Sequence, residues 1–216
     1  MIKAIIFDLD NCLSAADEVG VQLFESAFEA IRRANRGTLT DAELNEAFSD
    51  CWRHPLDFVA ERHKFSKEML SAGWNEMARM EVKVRMNGYP DLVILAGLPV
   101  PLFLVTSGFR RLQESKVRSL GIGHLFAEIH IDAIDEPDRK GKQRIFESIL
   151  NRNGLRTDEV LVVGDNADSE IEAGNRLGIT TVQVLRPGVP RASKAAHHIH
   201  GLVELGPILI DSARSS

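Results

Sequence analysis

Four short runs of apolar residues along the chain are continuous rather than alternating with polar residues, and they predict buried strands. A strand that is covered on both faces of a parallel sheet has this pattern. A fifth run, EIHI at residues 128–131, is a weaker candidate. The four runs are AIIF at 4–7, LFLV at 102–105, VLVV at 160–163 and TVQVL at 181–185.

Segments with helical periodicity separate these runs. Residues 109–120, 142–153 and 168–177 carry apolar side chains three or four positions apart, which is the spacing of one helix face. Alternating strands and helices imply right-handed crossovers between parallel strands. The chain is therefore predicted to be an α/β protein with a Rossmann-like, doubly wound parallel sheet and helices on both of its faces.

The long segment between the first two predicted strands carries helical patterns and no convincing strand pattern. An apolar stripe runs from Leu23 to Ile31, and Thr40 with Glu43 has the spacing of a helix-capping box. The pair Tyr89-Pro90 is expected to mark the return to the sheet. The predicted domains are thus a core of residues 1–13 and 89–216 and a helical cap of residues 14–88 inserted after the first strand, with residues 212–216 frayed.

Composition and charge indicate which partners and which cellular compartment to expect. The chain has 216 residues, 44% of them hydrophobic, with a net charge of −5. This charge, without a strong cluster of Lys or Arg, argues against nucleic acid as a partner. No run approaches the roughly 18 apolar residues of a membrane span. The apolar run at the start is too short for the apolar region of a signal peptide, and it ends at two carboxylates. Two cysteines without a CxxC pair favour a reducing cytoplasm.

Ligands of open α/β sheets bind outside the carboxyl ends of the strands, so the residues after each run carry the candidate chemistry. Asp8 and Asp10 follow the first run. Their mutual repulsion requires a cation, and Mg²⁺ prefers such oxygen ligands. The alternative is an Asx-turn with ordinary capping carboxylates.

Three further polar segments follow later strands. Residues 106–108, Thr-Ser-Gly, open a helix and could bind an anion or act as a plain helix cap. Residues 138–142 form a basic turn that enters a helix, so a lysine there could hold Asp8 and a phosphoryl oxygen together, unless the turn is simply a solvated loop. Residues 164–170 are acidic and could complete an oxygen shell around the cation.

Taken in order, these segments closely resemble the four motifs of the haloacid dehalogenase superfamily, and the resemblance covers essentially the whole chain. The stretches concerned are FDLDN, LVTSG, the lysine before IF, VVGDN and EIEAGNRLGI. The helical insertion resembles the cap of this family. The resemblance implies an Asp8 nucleophile that forms an aspartyl-phosphate, while Asp10 moves the proton.

The same resemblance assigns the other site residues. Mg²⁺ would be held by Asp8, Asp165 and the backbone carbonyl of Asp10, while Glu170 could ligate through water, a role that Asp168 could share. The phosphoryl group would be bound by Thr106 and by the segments around Asn11, Ser107 and Gly108. Lys140 aligns with the family lysine, and Lys142 is the alternative.

Some positions depart from the common motifs of this family, and one distinguishes its phosphatases from its dehalogenases. Asn11 stands where glycine is commoner, Cys12 replaces a threonine or valine, and Ser107 replaces a frequent asparagine. Because a thiol is a poor hydrogen-bond partner, the role of Cys12 is left open. Asp10 favours phosphate esters, since an alkoxide leaving group needs a proton donor and a halide needs none.

The expected function is a Mg²⁺-dependent phosphatase that acts on a small phosphorylated metabolite. Alternatives are a phosphotransferase or mutase on a sugar phosphate, and a 5'-nucleotidase. A receiver domain also combines an acidic pair with Thr and Lys, but its acceptor Asp follows a later strand. Two other clusters are interpreted as structural. Residues 197–200 are expected to form a histidine-rich edge strand rather than a metal site. Residues 52–54 are expected to form a helix end rather than a substrate contact.

Overall fold

Six parallel strands form one sheet within residues 1–214, the part of the chain that this computed structural model describes. Their order across the sheet is β3-β2-β1-β4-β5-β6, which is the order of a doubly wound fold. The predicted fold class is therefore confirmed. The strands are β1 (Ala4–Phe7), β2 (Leu102–Gly108), β3 (Glu128–Ala133), β4 (Val160–Gly164), β5 (Thr180–Val184) and β6 (His197–Ile199).

Helices cover both faces of the sheet, and this explains the continuous apolar runs. Along β1, Ala4 and Ile6 face the layer that contains the helix 141–153, whereas Ile5 and Phe7 face the opposite layer. Successive side chains of a strand point to opposite faces, so both sets must be apolar. The helices are α1 (Gln22–Ala34), α2 (Asp41–Asp50), α3 (Leu56–Arg62), α4 (Lys67–Met77), α5 (Arg110–Leu120), α6 (Gly141–Asn153), α7 (Glu172–Arg176) and α8 (Leu205–Arg214).

The insertion after β1 is helical, as predicted. Helices α1 to α4 lie between β1 and β2 and share an apolar core of their own. Gly73 lets α4 approach α1 closely, because a Cβ atom at this position would lie 2.7 Å from Ile31 Cδ1. The capping box is confirmed, since Thr40 Oγ1 accepts from the Glu43 amide and the Thr40 amide donates to Glu43 Oε2. Helix α3 was not predicted.

The return from the insertion runs along α5. The amide of Val82 donates to Ser115 Oγ at 2.8 Å, and the amide of Met86 donates to the Ser119 carbonyl at 3.1 Å. These contacts hold the end of the insertion against a helix of the sheet layer. The exact division of the chain into core and cap at residues 88 and 89 stays a prediction.

Beyond β5 the chain completes the sheet edge. The predicted edge strand is confirmed as β6, and His198 Nε2 lies 2.8 Å from the Ala192 carbonyl oxygen. Ser212 lies in α8 rather than in a frayed end, and residues 215–216 lie outside the described residues. Over residues 1–214, no helix is both long and apolar enough to cross a bilayer.

The order of strands decides where the site lies. The chain leaves β1 towards β2 on one side and returns to β4 on the other, so β1 is paired with both. Phe7 is in register with Val163, and Asp8 follows directly, its amide donating to the Val163 carbonyl at 2.9 Å. The carboxyl ends of β1, β2 and β4 therefore meet at the reversal point, where ligands of such sheets bind.

Candidate active site

Three buried carboxylates meet at the carboxyl ends of β1 and β4. Asp8, Asp165 and Glu170 each place a carboxylate oxygen within 4.8 Å of the others. Lys142 Nζ donates to Asp8 Oδ1 at 2.6 Å and to Glu170 Oε2 at 2.8 Å. Only 7% of Asp8, 3% of Asp165 and 1% of Glu170 is exposed, so these charges have little water to screen them.

Burial makes this acidic group electrostatically unfavourable by itself. Burial raises the pKa of Asp8 to about 7, against the opposing attraction of Lys142. Burial, and then the charges of Glu170 and Asp8, raise the pKa of Asp165 well above its usual range. Burial lowers the pKa of Lys142, but the two carboxylates it contacts more than compensate, so its pKa is raised and it stays charged.

The donor set fits a hard divalent cation. It consists of carboxylate oxygens, which Mg²⁺ prefers, and a cation among them would offset the burial and the mutual repulsion that raise the two aspartate pKa values. Asp8 and Asp165, both predicted ligands, belong to this group. Glu170 belongs to it as well, while the exposed Asp168 does not.

The lysine that contacts Asp8 is Lys142, and the structure does not bring the predicted Lys140 to this position. Lys140 is exposed and precedes α6, whereas Lys142 is buried in the first turn of that helix. Side chains in a helix tilt towards its N-terminus, and this direction carries the Lys142 ammonium back to the sheet edge. Lys142 also shares a face with the buried Ile145, Phe146 and Ile149, so the apolar stripe would have identified it.

Asp10 points away from the acidic group and towards α5. Lys116 Nζ lies 2.8 Å from both carboxylate oxygens of Asp10, and Gln113 Nε2 donates to Asp10 Oδ2 at 2.9 Å. Sequence reasoning missed both partners. They lie on the buried face of α5 with Val117, and a lysine inside an apolar stripe was the available signal.

The segment at the end of β2 lines the same cavity as the acidic group. Thr106 is buried and its hydroxyl oxygen accepts from Gln113 at 3.1 Å. The Ser107 hydroxyl donates to Asp132 Oδ2 at 3.1 Å, so this side chain is already engaged. Asp132 also accepts from the Gly141 amide at 2.9 Å, which fixes the start of α6. Sequence reasoning did not single out Asp132.

Asn11 has a conformation that explains why glycine is common at its position. Its φ is +55°, a left-handed conformation that asparagine tolerates better than most residues. Its side chain accepts from the Ala16 amide at 3.1 Å and donates to the Trp52 carbonyl at 3.2 Å. Asn11 therefore joins the loop after β1 to the helical insertion.

Cys12 is a packing residue of the same loop. Its side chain is fully buried, and its thiol lies 3.7 Å from the Val163 carbonyl oxygen. The Cys12 carbonyl accepts from Arg186, which also forms a two-point ion pair with Asp91 at 2.9 Å and stacks on Tyr89. Arg186 was missed because Asp91 lies 95 residues away in the chain, and short-range patterns do not reveal such a pair.

A cavity of about 770 Å³ lies between the insertion and the acidic group. Residues 52–54 line it. Trp52 packs on Phe24 with 4.7 Å between ring centroids, as expected for a helix end, and Arg53 Nη2 lies 3.7 Å from Asp165 Oδ2. The Arg53 carbonyl accepts from Asn166 Nδ2 at 3.1 Å. The cavity walls thus come from both the sheet layer and the insertion.

The model of the haloacid dehalogenase-like hydrolase family matches residues 2–178. The chain is a haloacid dehalogenase-like hydrolase. This confirms the family that the motif order predicted. The helical insertion between β1 and β2 is accordingly the cap of this enzyme.

Relatives of this hydrolase include two phosphatases. It is 29% identical over 202 residues to the glyceraldehyde 3-phosphate phosphatase of Methanopyrus kandleri, covering 86% of this chain and 85% of that protein. It is 33% identical over 148 residues to the phosphoserine phosphatase of Thermus thermophilus, covering 66% of this chain and 57% of that protein. A HAD phosphatase structure from Thermococcus onnurineus matches with a TM-score of 0.65 at 21% identity, over 96% of this chain and 98% of that one, and supports the fold.

Proposed function

We propose that this hydrolase is a Mg²⁺-dependent phosphatase that cleaves a small phosphomonoester through an aspartyl-phosphate on Asp8. The observation that carries the proposal is the position of Asp8 within a buried acidic group, held by Lys142 at 2.6 Å. A carboxylate held by a buried ammonium is oriented for attack. Asp10 lies two residues further on and is free of this group.

The residues of the site divide the reaction into two half-reactions. In the first, an Asp8 oxygen bonds to phosphorus, the bond to the alcohol breaks, and the alcohol oxygen takes a proton from Asp10. In the second, water gives a proton to Asp10 and attacks phosphorus, and the bond to Asp8 breaks, which releases phosphate. Lys142 and Thr106 would hold phosphoryl oxygens. Asp8, Asp165 and the Asp10 carbonyl would hold Mg²⁺, which neutralises charge on the phosphoryl group.

The substrates to expect first are three-carbon phosphomonoesters. Both phosphatase names among the relatives refer to such esters. Basic side chains besides Lys142 line the cavity between cap and core, among them Arg53 and Arg144, and they suit an anionic substrate. Both cysteines are free, consistent with the reducing cytoplasm that we propose as the location.

Phosphate release from a panel of monoesters tests this function. We expect turnover of at least one three-carbon ester with Mg²⁺ and its loss in EDTA, restored by added Mg²⁺. A panel that also contains nucleotides and sugar phosphates distinguishes the alternatives, and an added acceptor alcohol would reveal phosphoryl transfer. Failure to release phosphate from any member, with correctly folded protein, would contradict the proposal.

Asp165→Asn is expected to stabilise the metal-free enzyme. The pKa of Asp165 is raised in the folded state, so ionisation of this carboxyl destabilises the folded protein. The stability is lost progressively as pH rises from the ordinary aspartate pKa through the raised one. An asparagine carries no such cost near neutral pH. We predict an unfolding temperature about 3 °C or more above wild type in EDTA, measured by calorimetry.

Added Mg²⁺ should reverse that order. Wild type gains stability from binding the ion, while the variant lacks one ligand and gains less. A variant that melts below wild type in EDTA would show that the Asp165 carboxylate is not under electrostatic strain. Equal stabilisation of both proteins by Mg²⁺ would remove Asp165 from the ligand set.

A further inference from the structure

The Asp10 carboxylate is held by two buried side chains of α5. Lys116 Nζ lies 2.8 Å from each of its oxygens, with 5% of the lysine side chain exposed. Gln113, itself 3% exposed, donates to one of the same oxygens at 2.9 Å. By contrast, 22% of the Asp10 side chain is exposed. Without these partners, little in its surroundings would fix the carboxylate in one direction.

Gln113 also ties Asp10 to the phosphate-binding segment. Its Nε2 group donates to Thr106 Oγ1 at 3.1 Å and to the Ser107 carbonyl at 2.8 Å, besides Asp10. The Asp10 carboxylate and the Ser107 carbonyl can only accept, which fixes the amide orientation. Gln113 Oε1 is then buried without a hydrogen-bond partner within residues 1–214. A Cβ atom at Gly108 would lie 3.0 Å from this Nε2, so glycine leaves room for the amide.

Fold stability alone does not account for these two residues. The other basic residues of α5 lie on its outer face, where Arg110 pairs with Glu136 and Arg118 pairs with Glu81. An apolar side chain at an inner position would avoid the desolvation of a buried ammonium, and such replacements are often neutral or stabilising. A buried amide oxygen without a partner is also unfavourable. Both residues instead converge on Asp10.

We propose that Lys116 and Gln113 are positioning residues that hold Asp10 for proton transfer to the leaving alcohol and link it to Thr106 on the phosphoryl group. The proposal rests on the proposed phosphatase function. Proton transfer requires Asp10 within hydrogen-bond reach of the leaving oxygen. One amide that contacts both Asp10 and Thr106 sets the proton donor and the phosphoryl site at a fixed separation.

The dependence on leaving group separates this role from a structural one. The constant kcat/KM reports the first half-reaction, in which Asp8 takes the phosphoryl group from the ester. A short-chain alkoxide must be protonated as it leaves, whereas 4-nitrophenolate leaves without a proton. Misplacing Asp10 therefore slows attack on an alkyl phosphate far more than attack on 4-nitrophenyl phosphate. A general loss of structure slows both equally.

The test compares Lys116→Met and Gln113→Met with Arg118→Met, which removes a charge from the outer face of α5. We expect kcat/KM for an alkyl phosphate to fall about 30-fold or more in Lys116→Met and about 10-fold in Gln113→Met. The value for 4-nitrophenyl phosphate should change by less than about 3-fold in both, and Arg118→Met should change neither. In an Asp10→Asn background, Lys116→Met should add less than about 2-fold.

Equal losses on both substrates, or full additivity with Asp10→Asn, would overturn the positioning role. If Lys116→Met does not fold, judged by circular dichroism, Gln113→Met decides the matter by the same ratio. A wild-type enzyme that cleaves both esters while the variants show equal losses refutes this inference alone. A wild type that cleaves no phosphomonoester refutes the proposed function and the inference with it.

Discussion

Replacing Asp8 with asparagine is expected to reduce phosphate release by at least about 10⁴-fold, because the nucleophile supplies much of the very large rate enhancement of such enzymes. An amide does not form the acyl phosphate, and it is also a poorer ligand for Mg²⁺. The two side chains have nearly the same shape, and Lys142 keeps its contact with Glu170 at 2.8 Å. The fold should therefore persist, with an unchanged circular dichroism spectrum.

The matched control for this variant is Asp158→Asn. Asp158 is an exposed carboxylate that pairs with Arg156 on the surface, so the same chemical change there should leave activity within about 2-fold of wild type. If Asp8→Asn retained turnover within about 10-fold of wild type, Asp8 would not be the nucleophile. The proposed mechanism would then be wrong even if the protein were a phosphatase.

The second large effect is expected at Lys142. Lys142→Met removes the ammonium that contacts Asp8 and Glu170 and leaves two buried carboxylates without their partner. We predict a loss in kcat/KM of at least about 10²-fold, typical for one electrostatic group in a dry site. The metal-free protein should also lose about 3 kcal/mol of stability, because breaking a buried pair leaves uncompensated charge.

Lys140→Met provides the control, since it makes the same change two residues earlier. Lys140 is exposed, so its replacement should change kcat/KM by less than about 3-fold. Folding of both variants is checked by circular dichroism with Mg²⁺ present, which should support the weaker variant. An equal or larger loss in Lys140→Met would return the active-site lysine to position 140.

The central strands of the sheet were predictable because they are buried on both faces. The runs 4–7 and 160–163 are therefore apolar at every position, which makes the strand pattern clear. The weaker run at 128–131 also forms a strand, β3. The acidic residues were predictable for a related reason, since in a parallel sheet the residues after each strand share one edge. Asp8 and Asp165 come together in this way.

Other features depend on the direction of individual side chains, which spacing from a motif does not specify. Lys140 and Lys142 both fit the basic turn, and the helix register of α6 decides between them. Lys116 contacts Asp10 although the two residues are far apart in sequence. Tertiary packing brings them together, and short-range patterns do not reveal such a pair. Helix α3 was missed because it spans only Leu56–Arg62, too short for a clear period.

The covalent intermediate provides the most direct test of the central claim. Wild type and Asp10→Asn are mixed with substrate and Mg²⁺, quenched in acid and treated with borohydride, which reduces an aspartyl-phosphate to homoserine. Peptide mass spectrometry then locates the modified residue. We predict homoserine at position 8, absent without substrate and absent in Asp8→Asn. Steady turnover with homoserine at another aspartate, or with none at position 8, would contradict an aspartyl-phosphate on Asp8.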